Sequence, residues 1–459
     1  MAIGELARAR RRIDLGTSFV LLCRYDPFRM SANCGGDAMT LTVVEHDASE
    51  PALYGAMAAI AAQARGAALL HLPATFDTRR HADAVQHVAA AGALVASGLV
   101  WRERLAGVSV DPDATVAQIL EQARGREIVV PHHPATTAGG EDVADLVAQA
   151  VATGMAVRHI RIGHEGESLR FLDPASGAPL EAMGVWSRDR FGRLGSRAEP
   201  STPRRDETTV RVGLVGSQSD HRDVYPAVLA ALGDAADAEG VGLDVVFIDP
   251  RDLRRQDVAA AFEGIDGILL PGGADMVNVP GQILMALGSL RSRTPTVGLC
   301  LGMQTMATAV IQEALGSDRA SLAEAAPSAP IKTFVPMSDD ETLPVHRLGE
   351  RTITVAAGSR LEALLGRSPK VRCNHRYRLN PDLVPTIEAA GMRITAHDGS
   401  GTIADAVELA GHPFYVGMQG HPELSSRSGA PHPLLRAFVQ ASRAQKRLSR
   451  PGRGEGGVG

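Results

Sequence analysis

Short apolar runs of four to six residues alternate with segments of helical spacing along most of this 459-residue chain. That rhythm belongs to strand-helix-strand units built on a parallel sheet. In the N-terminal part the runs at 67–72, 94–101, 127–130 and 157–162 read as strands. Helical spacing falls at 51–65, 82–91, 115–124 and 142–153. Further on, strands are expected at 210–215, 243–248, 267–270 and 296–299, with a helix at 224–232 and extended segments at 352–356, 393–395 and 415–418. Between the two halves, 188–209 is rich in Arg, Pro, Gly, Ser and Glu without apolar periodicity and reads as a linker. The Gly/Arg-rich stretch 446–459 reads as a disordered tail. The expected organisation is therefore an α/β domain over 1–187, the linker, and a second α/β domain over 210–445. The second has an open, mostly parallel sheet with flanking helices, and sites in such sheets lie at the carboxyl ends of the strands.

Composition narrows the function classes. A net charge of −5 argues against a nucleic-acid surface as the main partner, and no apolar stretch approaches the ~20 residues of a membrane span. The run 17–23 behind Arg8, Arg10, Arg11 and Arg12 is short for a signal-peptide core and is closed by Arg24 and Asp26. Four scattered cysteines (Cys23, Cys34, Cys300, Cys373) make no disulfide framework or metal cluster, so a reducing cytoplasm is the expected compartment. Lysine occurs only at 332, 370 and 446, so the first 331 residues hold no phosphate loop of the kind that needs its lysine.

The chemistry concentrates in Gly298-Leu-Cys300-Leu-Gly302-Met-Gln304, which follows an expected strand and opens a helical pattern. A lone Cys among apolar residues is ordinarily a small buried hydrophobe. Here two flanking glycines permit the tight turn that lifts a nucleophile above a sheet edge, with a helix N-terminus facing the sulfur. A thiol nucleophile needs a base and a group to orient it. His421 follows an expected strand, and Glu423, two residues on in an extended segment, falls on its side. Cys300, His421 and Glu423 form the candidate triad. Pro271-Gly272-Gly273 ends another strand and can bring backbone N–H groups to a substrate carbonyl, with the Leu301 N–H as second donor.

These three segments, in this order, resemble class I, triad-type glutamine amidotransferases, and residues 210–445 resemble most closely the glutaminase domain of CTP synthase. Asn374-His-Arg376-Tyr377, Glu408 with His412-Pro413, Val416-Gly-Met-Gln419 and Pro431-His-Pro-Leu434 stand in family order. Gly273 precedes Cys300 by 27 residues (300 − 273), as the family has it. The resemblance implies a flavodoxin-like fold and a ligase-family enzyme that takes amide nitrogen from L-glutamine. Cys300 forms a γ-glutamyl thioester, His421 acts as base and acid, and Glu423 orients it. Gly273 and Leu301 hold the oxyanion. Arg376 clamps the α-carboxylate, Glu324 and Gln304 fix the α-amino group, and Gly272 and Tyr377 complete glutamine binding. No metal or cofactor is implied in this domain; ATP and Mg belong only to an acceptor domain or partner that supplies their site.

The pattern also departs from that family. Ala274-Asp275-Met276-Val277-Asn278 replaces an aromatic and an arginine of the family's loop, which removes the expectation of GTP activation. Gly420 stands where the family has Phe, and Ser217 where it has Lys. With no phosphate loop upstream, ATP-dependent amination of UTP within this chain is not expected. The ammonia then goes to an acceptor reaction, in a nucleotide or pyrimidine context, in the N-terminal domain or a partner synthase; a homo-oligomer fits as well. Two other readings stay open, a γ-glutamyl conjugate hydrolase and a non-catalytic regulatory relative. Eight N-terminal histidines (46, 71, 81, 87, 132, 133, 159, 164) lack metal-site spacing and read as loop or cap residues. Asn33-Cys34-Gly35-Gly36-Asp37 is a turn or a second site.

Overall fold

The computed structural model describes residues 40–134, 142–196 and 209–449, all within one compact unit. The 33–37 motif, the apolar run 17–23 and most of the 446–459 tail lie outside the described residues.

The N-terminal sheet contains β1 (Thr40–Glu45), β2 (Ala68–Leu69), β5 (Ile128–His132), β6 (Ala156–Glu165), β7 (Ser168–Leu172), β8 (Val185–Arg188) and β9 (Leu194–Ser196). A separate small hairpin pairs β3 (His87–Val88) with β4 (Leu94–Val95). The sheet order is 2-5-1-6-7-8-9, parallel as far as β6 and antiparallel beyond it. The change shows in the burial. β1 is buried along its middle because helices cover both faces, whereas β7 alternates because only one face is covered. The helices are α1 (Ala56–Arg65), α2 (Val100–Ala106), α3 (Val116–Ala123) and α4 (Val143–Ala152).

The expected strands omit β1, the centre of this sheet, whose two threonines break its apolar run. Thr42 is buried with its hydroxyl on Glu127 Oε1, 3.0 Å away. Two other expectations are corrected. Residues 82–91 are not helical, since Ser97 Oγ donates to the Asp83 carbonyl and accepts from the Gln86 N–H, holding the segment in turns. Of 94–101 only Leu94–Val95 is a strand, and Val100 and Trp101 enter α2, the indole donating to the Ala52 carbonyl. A short apolar run does not distinguish a buried helix from a strand.

The C-terminal sheet runs from β10 (Val210–Val215), β11 (Leu243–Ile248), β12 (Gly267–Leu270) and β13 (Thr296–Leu299) to later strands. The later strands of this half, in the sheet or beside it, include β14 (Arg347–Thr352), β15 (Thr354–Val355), β16 (Lys370–His375), β17 (Met392–His397), β18 (Ala404–Leu409) and β19 (Tyr415–Met418). Its order is 11-10-12-13-19-18-17-15, with the first five strands parallel in the doubly wound flavodoxin-like order. β14 and β16 pair with each other beside it. The principal helices are α5 (Ala227–Glu239), α6 (Val279–Ser292), α7 (Leu301–Leu315) and α8 (Pro433–Ser449). α5 starts after Pro226, three residues later than expected, because the residue before a proline is biased out of the helical region.

The two halves are not joined by a free linker beginning at 188. Arg188 ends β8, β9 follows, and Phe191 is buried in the C-terminal core among Val210 and Leu232; residues 197–208 lie outside the description. The first ten residues of α5, Ala227–Ala236, are buried and, apart from Asp234, apolar or small, as a helix stretch covered by two cores should be. Ala227 and Ala230 join the N-terminal core, while Val228, Leu229 and Leu232 join the C-terminal one. Nor does the last helix stop at 445. It continues to Ser449, with Lys446 3.2 Å from Asp266.

Buried ions cross the same seam. Arg104 of α2 donates to Asp234 (2.7 Å) and to the Ser426 carbonyl (2.9 Å). Arg372 of β16 donates to Glu103 (2.5 Å) and to the Val88 carbonyl (3.0 Å). Burial pushes the Glu103 carboxyl up, but His87 and Arg372 outweigh it and bring it to about 2. A depressed carboxylate contributes stability that is complete above its unfolded value and is lost as the pH falls toward the folded one. Glu103→Gln should therefore destabilise the chain by about 3 kcal/mol near neutrality. The difference in urea midpoint from the parent should narrow from about pH 4.5 downward; a gap that stays constant on acidification would refute the assignment.

Candidate active site

Three neighbouring parallel strands end at one level. Leu270 of β12 pairs with Gly298, and Leu299 of β13 pairs with Met418 of β19. Gly272-Gly273 leave the first strand, Cys300 the second and His421 the third, so the three segments converge at the carboxyl edge.

Cys300 stands between β13 and α7 with φ 50° and ψ −107°, one of two non-glycine residues with positive φ among the described residues. Such a conformation costs about 1–3 kcal/mol and persists only where its surroundings enforce it. Here the Cys300 N–H donates to the Met418 carbonyl at 2.8 Å. A Cβ on Gly302 would strike the Leu270 carbonyl, and one on Gly298 would strike Met306 and Gly302. Both glycines are therefore required for the helix to start this close to the sheet. Sγ lies 3.7 Å from the Asn374 carbonyl and 3.7 Å from Gln419 Nε2.

His421 caps a short 3-10 turn, Pro422–Ser425, rather than an extended segment as expected. The turn carries Glu423 under the ring, with Nδ1 2.7 Å from Oε1. Tyr225 donates to the same oxygen at 3.0 Å. Glu423 is fully buried. Burial disfavours charge on the imidazole, but Cys300 and Glu423 outweigh it and hold the ring well above its ordinary value. Nε2 is buried without a hydrogen-bond partner among the described residues. Gly272 sits between base and nucleophile, where a Cβ would lie 3.2 Å from His421 Cε1 and 3.3 Å from Cys300 Cβ.

A cavity of about 100 Å³ opens beside Cys300. It brings together Gly273, Leu301, Gln304, Glu324, Arg376 and Tyr377, all singled out in the sequence. Gln304 donates to Gln419 at 3.3 Å and keeps Oε1 buried and unpartnered. Glu324 is raised from its ordinary value by burial, against the pull of Arg376. Among the described residues the Arg376 guanidinium has no ion-pair partner. Asp83, Gln86 and Tyr225 also line the space around Cys300 and were missed. No motif marks them, and the first two lie in the alanine-rich stretch whose spacing reads as a helix.

Among the described residues one group, Cys373, His375 and Asp405, is close enough to share a metal ion. Arg347 already occupies it, donating to Asp405 at 2.6 and 3.1 Å and lying 3.3 Å from His375. Burial pushes the Cys373 thiol up to about 12. The N-terminal sheet carries a separate cavity of about 320 Å³ at the carboxyl ends of β1 and β5, lined by Glu45, His132, His133, Asp142 and His159. Other N-terminal histidines are engaged locally: His46 with His164 (3.0 Å), and His71 with the Asp111 carbonyl (2.9 Å). No described helix is long and apolar enough to cross a membrane.

Residues 221–441 match the family model described as glutamine amidotransferase class-I. CTP synthase of Methylobacterium nodulans is 29% identical over 282 residues, 59% of this chain and 51% of that protein. CTP synthase of Hyphomonas neptunium is 32% identical over 253 residues, 52% of this chain and 46% of that protein. The chain thus spans about half the length of the curated relatives it matches. The glutaminase domain of Trypanosoma brucei CTPS, solved with bound acivicin, is 26% identical with a TM-score of 0.49, covering 51% of this chain and 94% of that one.

Since the Glu423 carboxylate raises the His421 imidazole, Glu423→Gln should move its titration down toward the ordinary range. Ring-nitrogen NMR over a pH series, with the signal assigned by loss in His421→Gln, reads the shift. An unmoved titration would remove Glu423 from the charge balance of the base.

Proposed function

We propose that residues 221–441, a class I glutamine amidotransferase domain related to the glutaminase domain of CTP synthase, hydrolyse L-glutamine through Cys300, His421 and Glu423. The observation that carries this is the strained Cys300 elbow beside a His421–Glu423 pair, on the wall of the cavity that holds Arg376 and Glu324. The Arg376 fork suits the substrate α-carboxylate, and Glu324 and Gln304 suit its ammonium group. The side-chain amide then lies toward the sulfur.

With the ring held well above its ordinary value, the Cys300 proton rests on His421 Nε2, and Sγ attacks the amide carbon. The N–H groups of Gly273 and Leu301 receive the charge that develops on the carbonyl oxygen, a contribution worth about 10²–10³ in rate per donor. Collapse breaks the C–N bond as His421 returns the proton to the leaving nitrogen. Ammonia and a γ-glutamyl thioester result. Water, deprotonated by the same imidazole, then releases glutamate. Glu423 holds the ring by Nδ1 throughout, with Tyr225 fixing the carboxylate.

The ammonia serves an acceptor reaction in the N-terminal domain or in a partner synthase. The N-terminal cavity, at the strand ends where such sheets bind ligands, supports the first of these. Cys300→Ala should abolish release of glutamate from glutamine, measured by mass spectrometry, while leaving the thermal transition within a few degrees of the parent. Glutamate release at the parental rate in that variant would end the proposal.

A further inference from the structure

We infer that Asp83 and Gln86, contributed by the N-terminal half, are positioning residues of this site. They hold its two walls, the Gly272–Ala274 loop and Asn374, in register with Cys300. This deepens the reading above and rests on it for the reaction concerned.

The Gly272-Gly273 loop has no side chains with which to lock itself. Its peptide planes can rotate at little steric cost, yet their direction decides whether an N–H faces a substrate oxygen. Asp83 supplies the missing restraint. Its Oδ1 accepts the Ala274 N–H at 2.8 Å, and its Oδ2 lies 3.4 Å from where a Cβ on Gly273 would stand. A bond to a carboxylate is stronger than one to a neutral acceptor. Burial, with Asp220 and Asp275 nearby, pushes the Asp83 carboxyl up to about 6, against the pull of the Ala274 N–H and His421.

Gln86 acts on the opposite wall. Its Oε1 accepts from Asn374 Nδ2 at 2.8 Å, while His346 holds Asn374 Oδ1 at 2.9 Å. The carbonyl of that asparagine is the one 3.7 Å from Cys300 Sγ. Asp83 and Gln86 are tied to each other through Ser97, whose hydroxyl donates to the Asp83 carbonyl (2.5 Å) and accepts the Gln86 N–H (3.2 Å). One N-terminal turn thus grips both walls, and both residues line a cavity of about 40 Å³ against Cys300 and His421.

The test uses the full chain. In Asp83→Ala, kcat for glutamine should fall about ten- to a hundredfold, with KM within about threefold, because the loss falls on oxyanion stabilisation rather than on binding. Asp83→Asn keeps an oxygen for the Ala274 N–H and should recover most of the rate. Alkylation of Cys300 by iodoacetamide, which builds no oxyanion, should stay within about twofold of the parent in both variants. Amide exchange of a peptide spanning 271–276 should quicken in Asp83→Ala alone. Parental kcat in Asp83→Ala, an Asn variant as slow as the Ala variant, or an equal fall in alkylation would each overturn the inference. If the parent releases no glutamate, the proposed function fails and exchange decides the positioning: faster exchange upholds it, and unchanged exchange overturns it.

Discussion

The site depends on how closely α7 approaches the sheet. A helix that begins with Gly302 against the Leu270 carbonyl leaves one way to turn the chain from β13, and that way places Cys300 in a conformation L-residues avoid. The strain is held by elements on every side: the Met418 carbonyl, the fifteen-residue α7 and the parallel register of β12, β13 and β19. The same register sets the Gly272 loop and His421 at the height of the sulfur. Loosening the contact between Gly302 and Leu270 would release the nucleophile, the base and the oxyanion donors together.

The base is anchored at a second point, outside its own sheet. The His421 N–H donates to the Arg372 carbonyl at 2.8 Å, and the Arg372 side chain is held by Glu103 and the Val88 carbonyl of the N-terminal half. Ser426, three residues after Glu423, gives its carbonyl to Arg104 of α2. Both ends of the base-bearing turn are therefore tied to N-terminal residues. With Leu424 buried in the N-terminal core, the turn belongs to two cores at once.

What could be read in the sequence follows from how local the cause is. Val210–Val215, Gly267–Leu270, Thr296–Leu299 and Tyr415–Met418 carry the bounds expected of them, because strands covered on both faces are short apolar runs with sharp ends, and the edge strand Leu243–Ile248, partly exposed, keeps its expected bounds too. The residues around Cys300 were found because the elbow and the turn are made by neighbours in sequence. Asp83, Gln86 and Tyr225 were not, since each reaches the site through a contact nearly 200 residues away or more that no spacing records. The expected helix over 82–91 failed for a related reason. Its alanines favour a helix in isolation, but Ser97 and the C-terminal half draw the segment into turns. The linker expected from 188 failed because Phe191 and Arg193, in a polar and glycine-rich stretch, are core and ion-pair residues only once α5 is beside them.

The scarcity of lysine, which in the sequence served to exclude a phosphate loop, acquires a structural meaning at this seam. The 47 basic residues less three lysines leave 44 arginines, and the buried cations that join the halves are arginines. Arg104 reaches two acceptors with separate nitrogens, Arg372 serves a carboxylate and a carbonyl, and Arg193 is shared among Asp189, Asp234 and Asp237. A guanidinium has five donors in a fixed plane and is more weakly hydrated than an ammonium group, so it is less costly to bury and can satisfy several acceptors in a set geometry. A lysine at Arg104 would bring one nitrogen where the guanidinium brings two, set to reach the Ser426 carbonyl and Asp234 separately; if the Ser426 bond is the one lost, the turn bearing His421 loses one of its two ties. The geometry of the base therefore rests on a planar cation about 320 residues away in sequence.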